Sequence, residues 1–142
     1  MKKLSKTVDD PYMNNDMCID RLVDNWKQHG RIIIAFDFDN TIYDYYKEGY
    51  SYTKVIDLLK ECHDLGCILI LSTCCDESKF EFMIRKCQEV GLHIDYINES
   101  PPFIPFTGNK IYYNILLDDR AGLSAAYEIL FKAKERIVNE KF

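Results

Sequence analysis

The sequence predicts an α/β fold, a three-layer sandwich with a central parallel sheet. The first observation is that two apolar runs, 32–36 and 67–71, are continuous instead of alternating with polar residues. Such runs are typical of strands that are buried on both faces. The second is that segments with apolar residues at helical spacing separate the strand candidates, and this alternation favours right-handed crossovers and parallel strands. We expect one core domain at 31–142, preceded by a tail and an extra helix within 1–30.

Composition and charge narrow the class of protein. The 142 residues are 47% hydrophobic and 29% charged, which is typical of one globular domain. A net charge of −5 argues against a protein that follows a long nucleic-acid backbone. No apolar stretch approaches the length of a membrane span, and the basic N-terminus leads into Asp9 and Asp10, unlike a signal peptide. We therefore expect a cytoplasmic protein without a membrane partner.

The six cysteines are expected to be reduced thiols, because no secretory signal is recognised. Cys62, Cys67 and Cys87 fall on apolar faces and are interpreted as small core residues. Cys74 and Cys75 are adjacent, and a helix beginning at Asp76 could make them reactive, although a structural role is favoured. The cysteines form no Cys-x-x-Cys pair and the three histidines are scattered, so a zinc site is not expected.

The elements follow in order along the chain. Capping and stop residues predict a helix from Asn14 or Asn15 to Gly30, followed by the first strand at 31–37. A loop at 40–50 carries four tyrosines, which either cover the core or form a lid over a substrate. The next elements are a helix capped by Ser51 or Thr53 and ended by Gly66, a strand at 67–73, and a helix from Asp76 to Gly91. A short outer strand at 93–97, a loop at 98–109, a strand at 111–117 and a helix from Gly122 to about Asn139 complete the chain. The helix from Asp76 is expected to have Phe80, Met83, Ile84 and Cys87 on one face, and the last helix is expected to turn Leu123, Ala126, Tyr127, Leu130 and Phe131 inward.

Two carboxylates stand at the end of the first strand. In an extended backbone, side chains two positions apart project to the same side, so Asp37 and Asp39 can converge on one point. Neighbouring carboxylates repel each other, and a cation between them relieves that repulsion. Oxygen ligands of this kind suit Mg²⁺. Turn chemistry alone would explain an isolated Asp-x-Asp, so other strand ends must contribute if this is a metal site.

Other strand ends supply further reactive groups. Thr73, with Ser72 as a competitor, ends the second long strand, and Asp118 and Asp119 end the last one. In a parallel sheet all these ends lie on one edge, where such folds bind ligands. Lys110 precedes the last strand; alone it would be interpreted as a solvated loop lysine. The joint pattern predicts a site at this edge.

This pattern resembles the four motifs of the haloacid dehalogenase-like (HAD) hydrolase superfamily in their usual order. The run Asp-Phe-Asp-Asn-Thr at 37–41 is similar to the first motif, and Thr73 to the hydroxyl of the second. Lys110 is similar to the lysine of the third, and Leu-Leu-Asp-Asp-Arg at 116–120 to the acidic fourth. The resemblance extends from 31 to about 130. It implies a HAD-like, Rossmann-type fold.

The resemblance implies a phosphoryl-transfer site. Asp37 would be the nucleophile and Asp39 the general acid and base, which favours a phosphatase over dehalogenases or ion pumps. Mg²⁺ would be held by Asp37, by the backbone carbonyl of Asp39, and by Asp118 or Asp119.

Two further residues would act on the phosphate. Thr73 would hold a phosphoryl oxygen, and Lys110 would offset the phosphate charge. In similar small members an Arg or Asn often follows the second motif, whereas this chain has Cys74 and Cys75. One contact to the phosphate is therefore missing or comes from another residue.

No room for a cap domain exists at either of the two places where the family inserts one. The site is therefore expected to be open, closed at most by 43–50, by 101–106, or by a partner subunit in a homo-oligomer. The predicted function is a Mg²⁺-dependent phosphomonoester hydrolase that acts on a nucleotide or another small phosphorylated substrate. The alternatives are a phosphatase for polynucleotide ends or proteins, and a catalytically idle HAD-like module for binding or assembly.

Overall fold

The computed structural model describes residues 9–140, so most of the predicted N-terminal tail lies outside the described residues. Within that range, no helix has the length and apolar character needed to cross a membrane. The helices and strands are α1 (Asn15–His29), β1 (Ile33–Asp37), α2 (Thr53–Asp64), β2 (Ile68–Ser72), α3 (Phe80–Glu89), β3 (Tyr96–Ile97), β4 (Ile115–Leu117) and α4 (Leu123–Glu140).

The four strands form one parallel sheet in the order β3-β2-β1-β4. The predicted α/β class with a central parallel sheet is confirmed. Strand β1 lies between two neighbours, and its buried sequence explains this central place. The register pairs Asp37 with Ser72 and Phe36 with Leu117. The residues that follow these strands therefore meet at one edge of the sheet.

Each face of the sheet has its own apolar cluster. Ile34 and Phe36 of β1 belong to the larger cluster, which also contains the buried apolar residues of all four helices. Ile33 and Ala35 point the other way, as the two-residue period of a strand requires. The second face is packed by Tyr96, Ile104, Ile111, Tyr112, Tyr113 and Leu116. The three layers are thus the helices, the sheet, and a mostly irregular covering segment.

The irregular layer follows from the direction of the chain. From β1 to β3 the strands advance toward one side of the sheet, with α2 and α3 on one face. From β3 to β4 the chain returns across the whole sheet. A right-handed crossover in the opposite direction must pass over the opposite face. The segment between Ile97 and Ile115 therefore covers that face without forming a helix.

Helix α1 is part of the main core. The Asn14 side chain accepts a hydrogen bond from the Met17 N–H, and Gly30, at φ 78°, ends the helix as predicted. The helix buries Ile19, Leu22, Val23 and Trp26 and packs against α4. An ion pair between Arg136 and Asp20, at 2.7 Å, joins the two helices at the surface.

Some predicted details are wrong. The strand expected at 111–117 contains only Ile115–Leu117. Directly before β4, Asn114 pairs with Ile33 partly through its side chain. Asn114 Oδ1 accepts from the Ile33 N–H at 2.7 Å, and the backbone N–H of Asn114 donates to the Ile33 carbonyl. Ile84 and Phe131, expected to face inward, are 37% and 39% exposed. Their positions lie at the margins of amphipathic stripes, where helical spacing alone does not decide burial.

The cysteines divide into two groups. Cys62, Cys67 and Cys87 are buried, which confirms their predicted place in the core. Cys74 is exposed and Cys75 is half-buried, and both follow β2. The first group contributes packing, whereas the second lies near the edge where the strands end.

Candidate active site

The carboxyl ends of β1, β2 and β4 surround an open cavity of about 380 Å³. Its lining includes Asp37, Asp39, Thr73, Asp118 and Asp119, all of which were predicted as site residues. They come from segments more than 30 positions apart in the chain. The parallel sheet brings them together because its strand ends share one edge.

Three of these carboxylates form a tight group. One oxygen each from Asp37, Asp118 and Asp119 lies within 4.8 Å of the others. This arrangement follows from the register, since Asp37 and Asp118 each come directly after paired residues of β1 and β4. The Asp39 carboxylate also lines the cavity but does not belong to the group. The group can therefore hold a cation, and the Asp39 carboxylate lines the same cavity outside the group.

Hydrogen bonds fix the loops that carry the acids. The Asp119 N–H donates to the hydroxyl of buried Thr41 at 3.1 Å, and the Arg120 N–H donates to Asp118 Oδ1 at 2.9 Å. The Phe38 carbonyl accepts from several N–H groups of the turn after β1. Thr41 thus joins the loop after β1 to the loop after β4. The sequence includes Thr41 in the first motif, but a contact 78 positions away carries no local signal.

The electrostatics of the group are unfavourable in the absence of a cation. Burial, then the side chains of Asp119 and Asp118, raise the pKa of Asp37 to about 7 from 3.8, although the Phe38 N–H opposes this change. Burial and the charge of Asp119 also raise the pKa of Asp39. A divalent cation between the carboxylates would favour their ionised forms. The donor set of carboxylate oxygens fits Mg²⁺.

Thr73 is held by a residue that the sequence did not identify. The Thr73 N–H donates to Asn98 Oδ1 at 2.8 Å, and Asn98 Nδ2 donates to the Thr73 carbonyl at 2.9 Å. Asn98 follows β3 in the left-handed region at φ 54°, which asparagine tolerates better than most residues. The Thr73 hydroxyl accepts from the Cys75 N–H at 3.1 Å. The one signal for this role in the sequence is an asparagine directly after a short strand.

Lys110 is not among the residues that line this cavity within residues 9–140. It is exposed, in the segment that crosses the second face of the sheet. Arg120 lines the cavity instead, directly after the acidic pair. Arg120, in the loop after β4, is the one basic side chain among the described residues that line the cavity.

The tyrosines of the loop at 40–50 fall into two groups, one that covers the core and one that faces the cavity. Tyr43 stacks on Phe38 at 4.9 Å between ring centroids and packs against the main core. Tyr45 and Tyr46 are exposed, line the cavity, and contact each other edge to face at 5.1 Å. The first tyrosine covers the core, whereas the other two can contact a ligand.

The segment 101–106, which the sequence suggested could close the site, lies away from this cavity. Phe103 and Phe106 line a separate cavity together with Ile33, the first residue of β1, and Arg31, which precedes this strand. This segment therefore covers the amino end of the sheet.

Comparison with known proteins supports the fold. No family model and no curated protein matches the chain. The structure is similar to a solved structure described as the conserved protein coded by locus from Bacteroides thetaiotaomicron, with 24% sequence identity and a TM-score of 0.59. The match covers 72% of this chain and 91% of that chain. This likeness shows a shared α/β fold.

Proposed function

We propose that the protein is a Mg²⁺-dependent phosphomonoester hydrolase of the HAD type that forms an aspartyl-phosphate intermediate. The observation that carries the proposal is the meeting of Asp37, Asp118 and Asp119 within 4.8 Å in an open cavity that Asp39 also lines. Repelling carboxylates do not stabilise a fold, so a role in binding a cation and a substrate explains their placement.

Asp37, Asp118 and Asp119 would hold the ion, together with the backbone carbonyl of Asp39. When bound, Mg²⁺ supplies positive charge that lets an anionic nucleophile approach an anionic phosphate. The raised pKa of Asp37 supports this assignment, since the unliganded group carries more negative charge than the site easily holds.

The chain's own residues would carry out two displacements. A carboxylate oxygen of Asp37 attacks phosphorus, the bond from phosphorus to the ester oxygen breaks, and Asp39 donates its proton to the departing alkoxide. Asp39 then removes a proton from water, whose oxygen attacks the same phosphorus and releases phosphate and the free Asp37 carboxylate. A raised pKa suits Asp39 for the first of these transfers, because it favours the protonated form.

The remaining residues would bind the phosphate and the leaving group. Thr73 would contact a phosphoryl oxygen, and Arg120 would offset phosphate charge at the place proposed from sequence for Lys110. Tyr45 and Tyr46 offer exposed aromatic surface beside the acids. A nucleotide is the substrate class that fits such surface best, since bases stack on aromatic rings.

Hydrolysis of an aryl phosphate and of nucleoside monophosphates, with and without Mg²⁺, tests the proposal. We expect Mg²⁺-dependent turnover, and a loss of at least about 10³-fold in Asp37→Asn. Asp39→Asn should slow alkyl esters more than the aryl ester, whose leaving group needs less protonation.

Intact-mass measurement after mixing with substrate distinguishes the roles of the two acids. Asp39→Asn should accumulate protein that carries one phosphoryl group, and Asp37→Asn should carry none. Asp57→Asn, at an exposed position of α2, is the matched control and should retain full activity. Absence of Mg²⁺-dependent turnover across these substrates would contradict the proposal and favour a binding module.

A further inference from the structure

A second group of potential ligands lies at the amino end of the sheet. Donor atoms of His63, His93 and Asp95 all lie within 4.8 Å of one another. The two imidazoles stack, with 4.6 Å between ring centroids, and His93 Nε2 lies 2.9 Å from Asp95 Oδ1. His63 belongs to the last turn of α2, while the other two precede β3. The expectation from sequence that the histidines are scattered is therefore wrong for two of the three.

The fold holds these side chains for reasons of backbone pairing. Asp95 Oδ2 accepts from the Leu69 N–H at 2.8 Å, and the Asp95 N–H donates to the Leu69 carbonyl at 2.9 Å. Oδ1 of the same carboxylate therefore has a fixed position and faces His93. Thr73, directly after β2, is four residues from Leu69, or about 13 Å in an extended chain, so this group is distinct from the candidate active site.

One polar atom in the group lacks a partner. His63 Nδ1 is buried and has no hydrogen-bond partner among the described residues. A buried nitrogen without a partner is unfavourable, and in its unprotonated form this nitrogen can bind a metal ion. The His93 side chain is 50% exposed, so water can complete the coordination of an ion bound beside it.

We propose that His63, His93 and Asp95 form a site for a divalent transition metal of the Zn²⁺ class. Two imidazole nitrogens and one carboxylate oxygen suit zinc and its neighbours, whereas Mg²⁺ prefers oxygen ligands alone. Ligands of a tetrahedral zinc ion lie about 3.3 Å apart and the ion lies in the plane of each imidazole. The stacked rings of His63 and His93 must therefore turn relative to each other when they bind one ion. The metal links the end of α2 to the segment that begins β3, the outermost strand.

Zinc titration of the metal-free full chain, in the presence of excess Mg²⁺ to occupy the carboxylate group, tests the site. We expect one zinc equivalent by calorimetry, and a rise in melting temperature of about 5 to 10 °C at free zinc a hundredfold above Kd. His93→Asn and Asp95→Asn should each weaken zinc binding by at least about 10-fold. The asparagine in Asp95→Asn can still accept from the Leu69 N–H, which preserves the local pairing.

Two controls separate this site from other zinc ligands. His29→Asn changes the third histidine, which is exposed at the end of α1, and should leave zinc affinity unchanged. Co²⁺ substitution should give a spectrum without a thiolate charge-transfer band, which excludes Cys74 and Cys75. Equal zinc affinity in His93→Asn and the unaltered chain, or a thiolate band, would overturn the proposal. Neither result depends on phosphatase activity.

Discussion

The two edges of the sheet use polar side chains in opposite ways. At the amino edge, Asn114 and Asp95 accept hydrogen bonds from strand N–H groups, at 2.7 and 2.8 Å. At the carboxyl edge, Asp37, Asp118 and Asp119 face one another, and burial together with neighbouring acids raises the pKa of Asp37 to about 7. The first edge satisfies the backbone, and the second concentrates unsatisfied charge.

Asn114 and Asp95 complete the hydrogen bonds of the strands, whereas the three acids at the carboxyl edge repel one another. A side chain that completes a strand's hydrogen bonds stabilises the protein by itself. A carboxylate beside two others does so only when a cation is bound. Substitutions at the two edges should therefore change stability in opposite directions, and this expectation can be measured.

The largest change in stability is expected for Asn114→Ala. This substitution leaves the N–H of Ile33 without its side-chain acceptor in a partly buried place, which costs about 1–3 kcal/mol of unfolding free energy. Urea unfolding at neutral pH measures the loss. Asn109→Ala, at an exposed loop position, is the matched control and should change stability by less than about 0.5 kcal/mol. Equal effects in both variants would show that the amino edge does not depend on this amide.

Asp37→Asn is expected to increase the free energy of unfolding of the metal-free protein, in contrast to Asn114→Ala. Because the folded-state pKa of Asp37 is raised from 3.8 to about 7, its contribution to stability is complete below pH 4 and is lost as the pH rises through 7. The variant lacks this loss and should be more stable at pH 8 by roughly 1–2 kcal/mol. That figure is discounted because the group is only partly buried.

Mg²⁺ should remove this advantage. The ion should bind the unaltered site more tightly than the variant, which lacks one of the three carboxylates. Mg²⁺ therefore stabilises the unaltered protein more, and the difference at pH 8 should shrink or reverse in excess Mg²⁺. Asp57→Asn should show neither the pH dependence nor the Mg²⁺ effect. A stability difference that is constant from pH 4 to pH 8 would mean that folding does not raise the pKa of Asp37.

The sequence predicted the carboxyl edge better than the segments that cross the sheet. Asp37 and Thr73 follow long apolar strands, so local patterns place them at one edge once the strands are taken as parallel. Asn98 and Lys110 lie in the return segment between β3 and β4, which has no hydrophobic period. Their positions depend on contacts across the sheet, such as the hydrogen bonds of Asn98 to Thr73. The pairing of His63 with His93 joins positions 30 residues apart and is equally invisible to local pattern.

The smallest predicted effect concerns the basic side chain that is proposed to bind the phosphate at the carboxyl edge. Arg120 lines the cavity, whereas Lys110 does not. Arg120→Gln should therefore raise KM for a small phosphomonoester by about 5- to 10-fold, because it removes a charged hydrogen-bond donor from the lining. Lys110→Gln, which changes an exposed residue of the covering segment, should leave KM within about twofold. Steady-state kinetics of the two variants at saturating Mg²⁺ compare them directly. The reverse order would mean that the covering segment moves over the carboxyl edge when substrate binds, and that Lys110 acts at the position proposed for it from sequence.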